Sequence, residues 1–235
     1  MNKKVLEDIF KHAEECYPKE CCGLIVMIRR RQYYRRCQNI TPNQGCFVIN
    51  PKDYADAEDS GDILKVVHSH CNQNAKPSQA DLIGCEKSAL PWVIVSWPTK
   101  QVHEFKPDGY QAPLIGREFV HGVVDCYSLV QDYYKQELRI EISDFVRPDD
   151  WWKKGGNLYL DNFEKAGFVK TEKLEKHVGI LMQVASPVPN HAAIYLGDNI
   201  ILHHLQNRLS CREVYGGYWQ KNTWAILKHA GVQVA

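Results

Sequence analysis

The feature that most limits how this chain can fold lies near its middle. Between Lys106 and Arg117 stand Pro107, Gly109, Pro113 and Gly116, with little apolar periodicity among them. Proline removes a backbone donor and fixes φ, and glycine loosens the chain, so no long helix or strand runs through such a stretch. The 235 residues are thereby split into two pieces, each near the roughly 100–150 residues of a small domain. The break predicts a first domain over residues 1–106 and a second over residues 112–235.

Both halves mix helical and strand periods. In residues 3–16, Val5, Ile9, His12 and Ala13 share one face, the mark of an amphipathic helix that stops before Pro18. Residues 24–28 and 32–36 read as a hairpin with an Arg-rich turn, 46–49 as a short strand, and 53–60 as a helix closed by Gly61. Residues 63–68 and 92–97 are apolar, β-branched runs of the buried-strand type, with a helix over 78–87 between them and a short strand at 102–105. The second half predicts helices over 126–137 and 157–166, then strands at 180–184, 191–196, 199–203 and 224–229. The class is α+β in both halves.

Composition excludes several roles. A net charge of +1 gives no long-range attraction for nucleic acid, and the run of Arg29, Arg30, Arg31, Arg35 and Arg36 is broken by Tyr33 and Tyr34, as in a solvated hairpin. The longest apolar stretches, 22–28 and 91–97, fall well short of the roughly 20 residues that span a bilayer. The start of the chain mixes acids with bases and has no apolar core, so no secretory signal is expected and the chain is expected to fold in the cytoplasm where it is made. Nine cysteines, an odd number without a CxxC pair, predict neither a disulfide framework nor a sulfur-rich zinc site. Any cysteine with unusual neighbours then stands out.

His68 and His70 end the buried run of the first half. Alternate residues of a strand point to one side, so the two imidazoles converge. Ser78 has the place and chemistry of an N-cap, which sets Asp81 in the first turn of the helix that follows. Two neutral imidazoles and one carboxylate make a three-ligand zinc site of the catalytic type. Together with Glu20, in Pro18-Lys19-Glu20-Cys21-Cys22-Gly23-Leu24, this pattern resembles the JAMM/MPN metalloprotease signature over residues 1–105. The resemblance implies a mixed β-sheet with flanking helices and Zn2+ on His68, His70 and Asp81. It also implies Glu20 as general base and Ser78 as donor to the oxyanion, for cleavage of peptide or isopeptide bonds.

In the second half Cys126 follows Asp125 at the start of a helical pattern. Unsatisfied backbone N–H groups there favour a thiolate, so a lowered thiol pKa is expected. The candidate base is His191, and the turn Gly197-Asp198-Asn199 returns a strand that brings His203 back beside it as an orienting partner. His204 competes for that last role. The order Asp-Cys-x-x-Leu-Val, then His-x-x-x-Tyr-x-Gly-Asp, then a histidine twelve residues after the first, resembles the NlpC/P60 family of papain-like cysteine peptidases. That resemblance covers residues 112–230. It implies a papain-like fold, Cys126 as nucleophile, His191 as base and His203 as the third member, acting on the peptide stems of bacterial peptidoglycan.

The two motifs in tandem resemble tail-tip proteins of lambda-like phages. This implies a wall peptidase with a zinc-dependent partner site, active in tail assembly, in genome delivery, or in both, with other tail-tip proteins as partners. It implies location in the host cytoplasm during assembly and then at the virion tail tip. Two alternatives stay open: a structural assembly factor with relic sites, and a protease that processes tail proteins.

Overall fold

Residues 3–16 carry their apolar stripe into helix α1 (Lys3–Cys16), begun by the Asn2 side chain accepting from the Val5 amide. Its buried face is Val5, Ile9, His12 and Ala13, and burying Val5 and Ile9 stabilises by about 1.5–3 kcal/mol each. A computed structural model describes residues 1–232, which form two compact units divided between Tyr110 and Gln111.

The first unit is built on a five-stranded mixed sheet in the order β2-β1-β3-β4-β5, with β1 Cys22–Ile28, β2 Arg31–Cys37, β3 Asp62–Cys71, β4 Trp92–Trp97 and β5 Val102–Phe105. Only β3 and β4 run parallel, joined through helix α3 (Gln79–Ser88). Strand alternation sorts the core into two layers. Ile25, Val67, Val93 and Val95 meet α1, whereas Leu24, Val26, Val66 and Trp92 face helix α2 (Pro51–Ser60) and Cys85 of α3. Gly23 has to be glycine, since a Cβ there would collide with the Arg35 carbonyl oxygen and the Tyr34 ring.

Residues 46–49 depart from the expected strand. Their backbone meets a side chain rather than a ladder: the Asn39 amide donates to the carbonyls of Glu20 and Cys46 at 3.0 and 3.1 Å and accepts from Val48 N at 3.0 Å. Only an isolated bridge joins Asn39 to Ile49.

The second unit has a six-stranded antiparallel sheet in the order β10-β9-β8-β7-β11-β6. The strands are β6 Phe168–Thr171, β7 Gly179–Met182, β8 His191–Gly197, β9 Ile200–His203, β10 Cys211–Val214 and β11 Thr223–His229. Helix α4 (Cys126–Leu138) packs on the face carrying Leu181, Ala192, Ile194 and Leu202. The opposite face holds Ile180, Ala193, Tyr195 and Ile201 against Trp219 of α6 (Tyr218–Lys221). Helix α5 (Leu158–Asn162) is shorter than the expected 157–166: Asn157 makes no side-chain cap, and the chain turns away through Gly167 at φ +85. Strands β6 and β10 have no counterpart in the sequence-based expectation. Both are four-residue edge strands, where one face meets solvent and the apolar signal is weak.

Candidate active sites

In the first unit β3 delivers two imidazoles to one face, because Val66, His68 and His70 alternate toward the α2–α3 side. The His68 ring stacks on Phe47 at 4.5 Å and meets the edge of Trp92 at 5.6 Å. Helix α3 starts over the strand end with Ser78 as its cap. Ser78 N and Oγ each donate to Asp81 Oδ2 at 2.7 Å, and Asp81 N donates back to Ser78 Oγ at 3.2 Å. Asp81 is thereby held by its own cap. The Ser78 hydroxyl, expected as an oxyanion donor, is engaged by that carboxylate.

The ligand atoms converge. His68 Nε2 and His70 Nε2 lie 3.2 Å apart, with Asp81 Oδ1 3.1 Å from the first and Oδ2 3.3 Å from the second. His70 Nδ1 sits 2.9 Å from the Asn74 carbonyl, so it carries the proton there and leaves a lone pair on Nε2. A bare imidazole nitrogen facing a carboxylate oxygen is two acceptors in contact, which a cation between them relieves. His68 Nδ1 is buried and unpartnered. Two neutral imidazoles and a carboxylate, fixed by a carbonyl and a cap from outside, match what zinc takes and how its ligands are oriented.

The electrostatics record the same contacts. Burial alone would raise the Asp81 carboxyl, but His68, His70 and the Ser78 hydroxyl outweigh it and hold it well below the usual carboxylate range. Burial would lower His70, yet Asp81 and the Asn74 carbonyl raise it. Glu20, two residues before β1, is buried within electrostatic reach of both histidines. Burial, aided by Asp81 and opposed by the histidines, pushes its pKa up. A carboxylate so placed takes a proton more readily than one in water.

In the second unit Cys126 opens α4, with Asp125 as its cap. Asp125 Oδ1 accepts from Tyr127 N at 3.0 Å and Ser128 N at 2.9 Å, while Oδ2 accepts from Gly122 N at 2.9 Å and Arg147 Nε at 2.7 Å. The amides expected to stabilise a thiolate are therefore spent on a carboxylate. Burial, with the adjacent Asp125 charge, pushes the Cys126 thiol up to about 11. The expectation of a lowered thiol pKa is overturned in this resting geometry. Cys126 Sγ lies 3.1 Å from the Tyr159 hydroxyl, whose own pKa is raised well above its usual value by burial and by Cys126. A phenol that keeps its proton can donate to the sulfur.

His191 begins β8, and the β8–β9 register sets His203 opposite Ala193. The two rings meet: His191 Nε2 to His203 Nδ1 is 3.2 Å, and His203 Nε2 to Glu213 Oε2 is 2.9 Å. Tautomers follow from this chain of contacts. A carboxylate only accepts, so His203 donates from Nε2 and accepts at Nδ1. His191 then donates from Nε2 and keeps a lone pair on Nδ1. Burial holds His191 neutral, with a pKa of about 3, helped by the neighbouring His203 and His204. Burial also lowers His203, although Glu213 opposes it. Cys126 and His191 open onto one cavity of about 270 Å³, lined also by Phe119, Trp151, Trp152 and Lys153.

Of the predicted residues, His68, His70, Asp81, Ser78 and Glu20 come together in the first unit, and Cys126, His191 and His203 in the second. His204 also lines the Cys126 cavity, but its ring nitrogens meet neither His191 nor Glu213. Sequence reasoning missed Glu213, Tyr159 and the Asp125–Arg147 pair. The one available signal for Glu213 was the i, i+2 spacing of Cys211 and Glu213, a strand period too short to stand alone.

Residues 2–107 match the prokaryotic homologs of the JAB domain, and residues 116–228 match the NlpC/P60 family. The α+β class and two-domain organisation follow from these matches and from the two sheets. The chain is 38% identical over 238 residues to tail tip assembly protein K of Escherichia phage N15, covering 99% of this chain and 97% of that one. It is 42% identical over 183 residues to tail tip assembly protein K of Escherichia phage lambda, covering 77% and 89% respectively. The chain belongs to the tail tip assembly protein K family. A solved JAB1/MPN domain protein from Archaeoglobus fulgidus is 19% identical with a TM-score of 0.31, covering 46% of this chain and 90% of that one.

Proposed function

We propose that this chain is a phage tail-tip protein whose second unit cleaves peptidoglycan peptide stems by thiol catalysis, and whose first unit is a zinc-dependent peptidase or isopeptidase. The observation that carries the reading is the relay His191–His203–Glu213 beside the cavity that holds Cys126. It leaves His191 Nδ1 as the free base. At rest the pair is a neutral thiol and a neutral imidazole, so the proton leaves Cys126 as the sulfur attacks the scissile carbonyl. His191 takes that proton and later gives it to the leaving amine, while His203 and Glu213 hold the tautomer. Tyr159, donating beside the sulfur, serves the developing negative charge. Membership of the NlpC/P60 family supports wall peptide stems as substrate, and the relatives' shared name supports other tail proteins as partners, first in the host cytoplasm and then at the virion tail tip.

In the first unit His68, His70 and Asp81 would hold zinc, which supplies Lewis acidity and lowers the pKa of water. Ser78 fixes Asp81, and on release from it can donate to an oxyanion. Glu20, with its raised pKa, accepts the proton that hydrolysis frees. The JAB family match supports this reading.

The test is release of soluble peptides from Gram-negative sacculi. The intact protein is expected to release them, and Cys126→Ala to release none. Unchanged release by that variant contradicts the thiol reading. A phage bearing both Cys126→Ala and His68→Ala that still assembles infectious tails would favour a structural role instead.

A further inference from the structure

Beside the end of the relay stands a group that the peptidase reading leaves unused, Cys211. Strand β10 places Cys211 directly across from His203, and Glu213 two residues on returns to the same face. His203, Cys211 and Glu213 each offer one ligand atom, and all three atoms lie within 4.8 Å of one another. Imidazole, thiolate and carboxylate together suit a borderline-soft divalent ion, and the half-buried Cys211 and Glu213 leave an open side for solvent ligands. Arg208, 3.8 Å from Glu213, is the one cation paired with that carboxylate among the described residues, and it is exposed.

We infer that His203, Cys211 and Glu213 form a second metal site, of the zinc class, which turns off the thiol site when occupied. The site shares His203 and Glu213 with the relay; metal binding there does not depend on the peptidase reading, whereas its effect on the thiol rests on it. A metal takes the lone pair of His203 Nε2, the atom that otherwise donates to Glu213. Three protons then move along the relay. The one on His203 Nε2 leaves to solvent, the one on His191 Nε2 passes across the 3.2 Å contact to His203 Nδ1, and His191 Nδ1 takes one from solvent. Cys211 releases its thiol proton on ligation, so the net release is one proton per ion. His191 remains neutral, but its lone pair now faces His203 and a proton occupies Nδ1. The base is absent without any change in fold.

Metal-free full-length protein titrated with Co2+ tests this. The site on His68, His70 and Asp81 offers only nitrogen and oxygen, so a sulfur-to-cobalt charge-transfer band in the near ultraviolet reports the new site. The band is expected in the intact chain and absent in Cys211→Ser. No band at saturating cobalt, or one that survives in Cys211→Ser, overturns the site. Alkylation of Cys126, read by peptide mass, is expected to slow by at least about tenfold with saturating Zn2+, since a general base contributes roughly 100-fold or more. Slowing that persists in Cys211→Ser means zinc on Cys126 itself and overturns the switch. So does a cobalt band with no slowing. His191→Asn in metal-free protein separates the two readings: alkylation indifferent to His191 contradicts the dyad, whereas the cobalt band does not depend on it.

Discussion

The two units build their sites in opposite ways. In the first, every ligand sits within one strand end and the next helix turn, so His68, His70, Asp81 and the Ser78 cap are fixed by local geometry. In the second, the chain of contacts crosses three strands, β8, β9 and β10, and competence depends on sheet register. The first site reads as a constellation whose ligands already converge. The second rests with Cys126 protonated and His191 neutral, and only a carboxylate at the edge strand says which nitrogen of His191 is free.

The largest expected effect separates the two outright. In a Cys211→Ser background, His68→Ala should abolish stoichiometric zinc binding, measured by metal analysis after removal and add-back. The same variant should leave the alkylation rate of Cys126 unchanged. Stoichiometric zinc in the variant would break the comparison.

Next in size is Glu213→Ala, which removes the anchor of the relay. Stem cleavage should fall by on the order of 100-fold in kcat with KM little changed, well short of the roughly 10⁴-fold loss when a triad's orienting carboxylate is replaced inside a sealed site. A loss confined to KM would show that Glu213 binds substrate instead. Ser78→Ala should weaken zinc binding by roughly tenfold through loss of the hydroxyl that orients Asp81, and should cost about 1 kcal/mol as a lost cap.

A further expected effect is on stability, and its sign follows from burial. His191 has an ordinary value of 6.5 and a folded value of about 3, so below pH 6.5 the unfolded chain binds a proton that the folded one refuses. Stability of the metal-free second unit is therefore intact above pH 6.5 and is lost as pH falls toward 3, by about 1.4 kcal/mol per pH unit. His203 and His204 are lowered in the same direction and steepen the slope. Denaturant midpoints across that range, in the intact chain and in His191→Asn, measure it; an unchanged slope in the variant would contradict it.

The same contrast explains what could be read from the sequence. The zinc-type constellation was legible because strand and helix periods act over a few residues, and Ser78 to Asp81 is a cap visible in one dimension. The core of the first sheet was legible where β-branched runs are buried on both faces, as at 66–68 and 92–96. Edge strands β6 and β10 were not, since half of each faces solvent, and Glu213 went unseen with β10. Residues 46–49 carry a strand-like sequence, but the Asn39 side chain captures their backbone first. The Cys126 thiol pKa was misjudged for a related reason. A helix start offers free amides only until a side chain takes them, and the residue that does so here, Asp125, is the one that also marks the motif.

The central claim is that Glu213, acting through His203, leaves Nδ1 of His191 as the base. Nitrogen chemical shifts of histidine-labelled, metal-free protein at neutral pH test it directly. His191 and His203 are both expected to be neutral with the proton on Nε2, and that preference is expected to be lost at His191 in Glu213→Ala. A proton on Nδ1 of His191, or a charged imidazolium there, would contradict it.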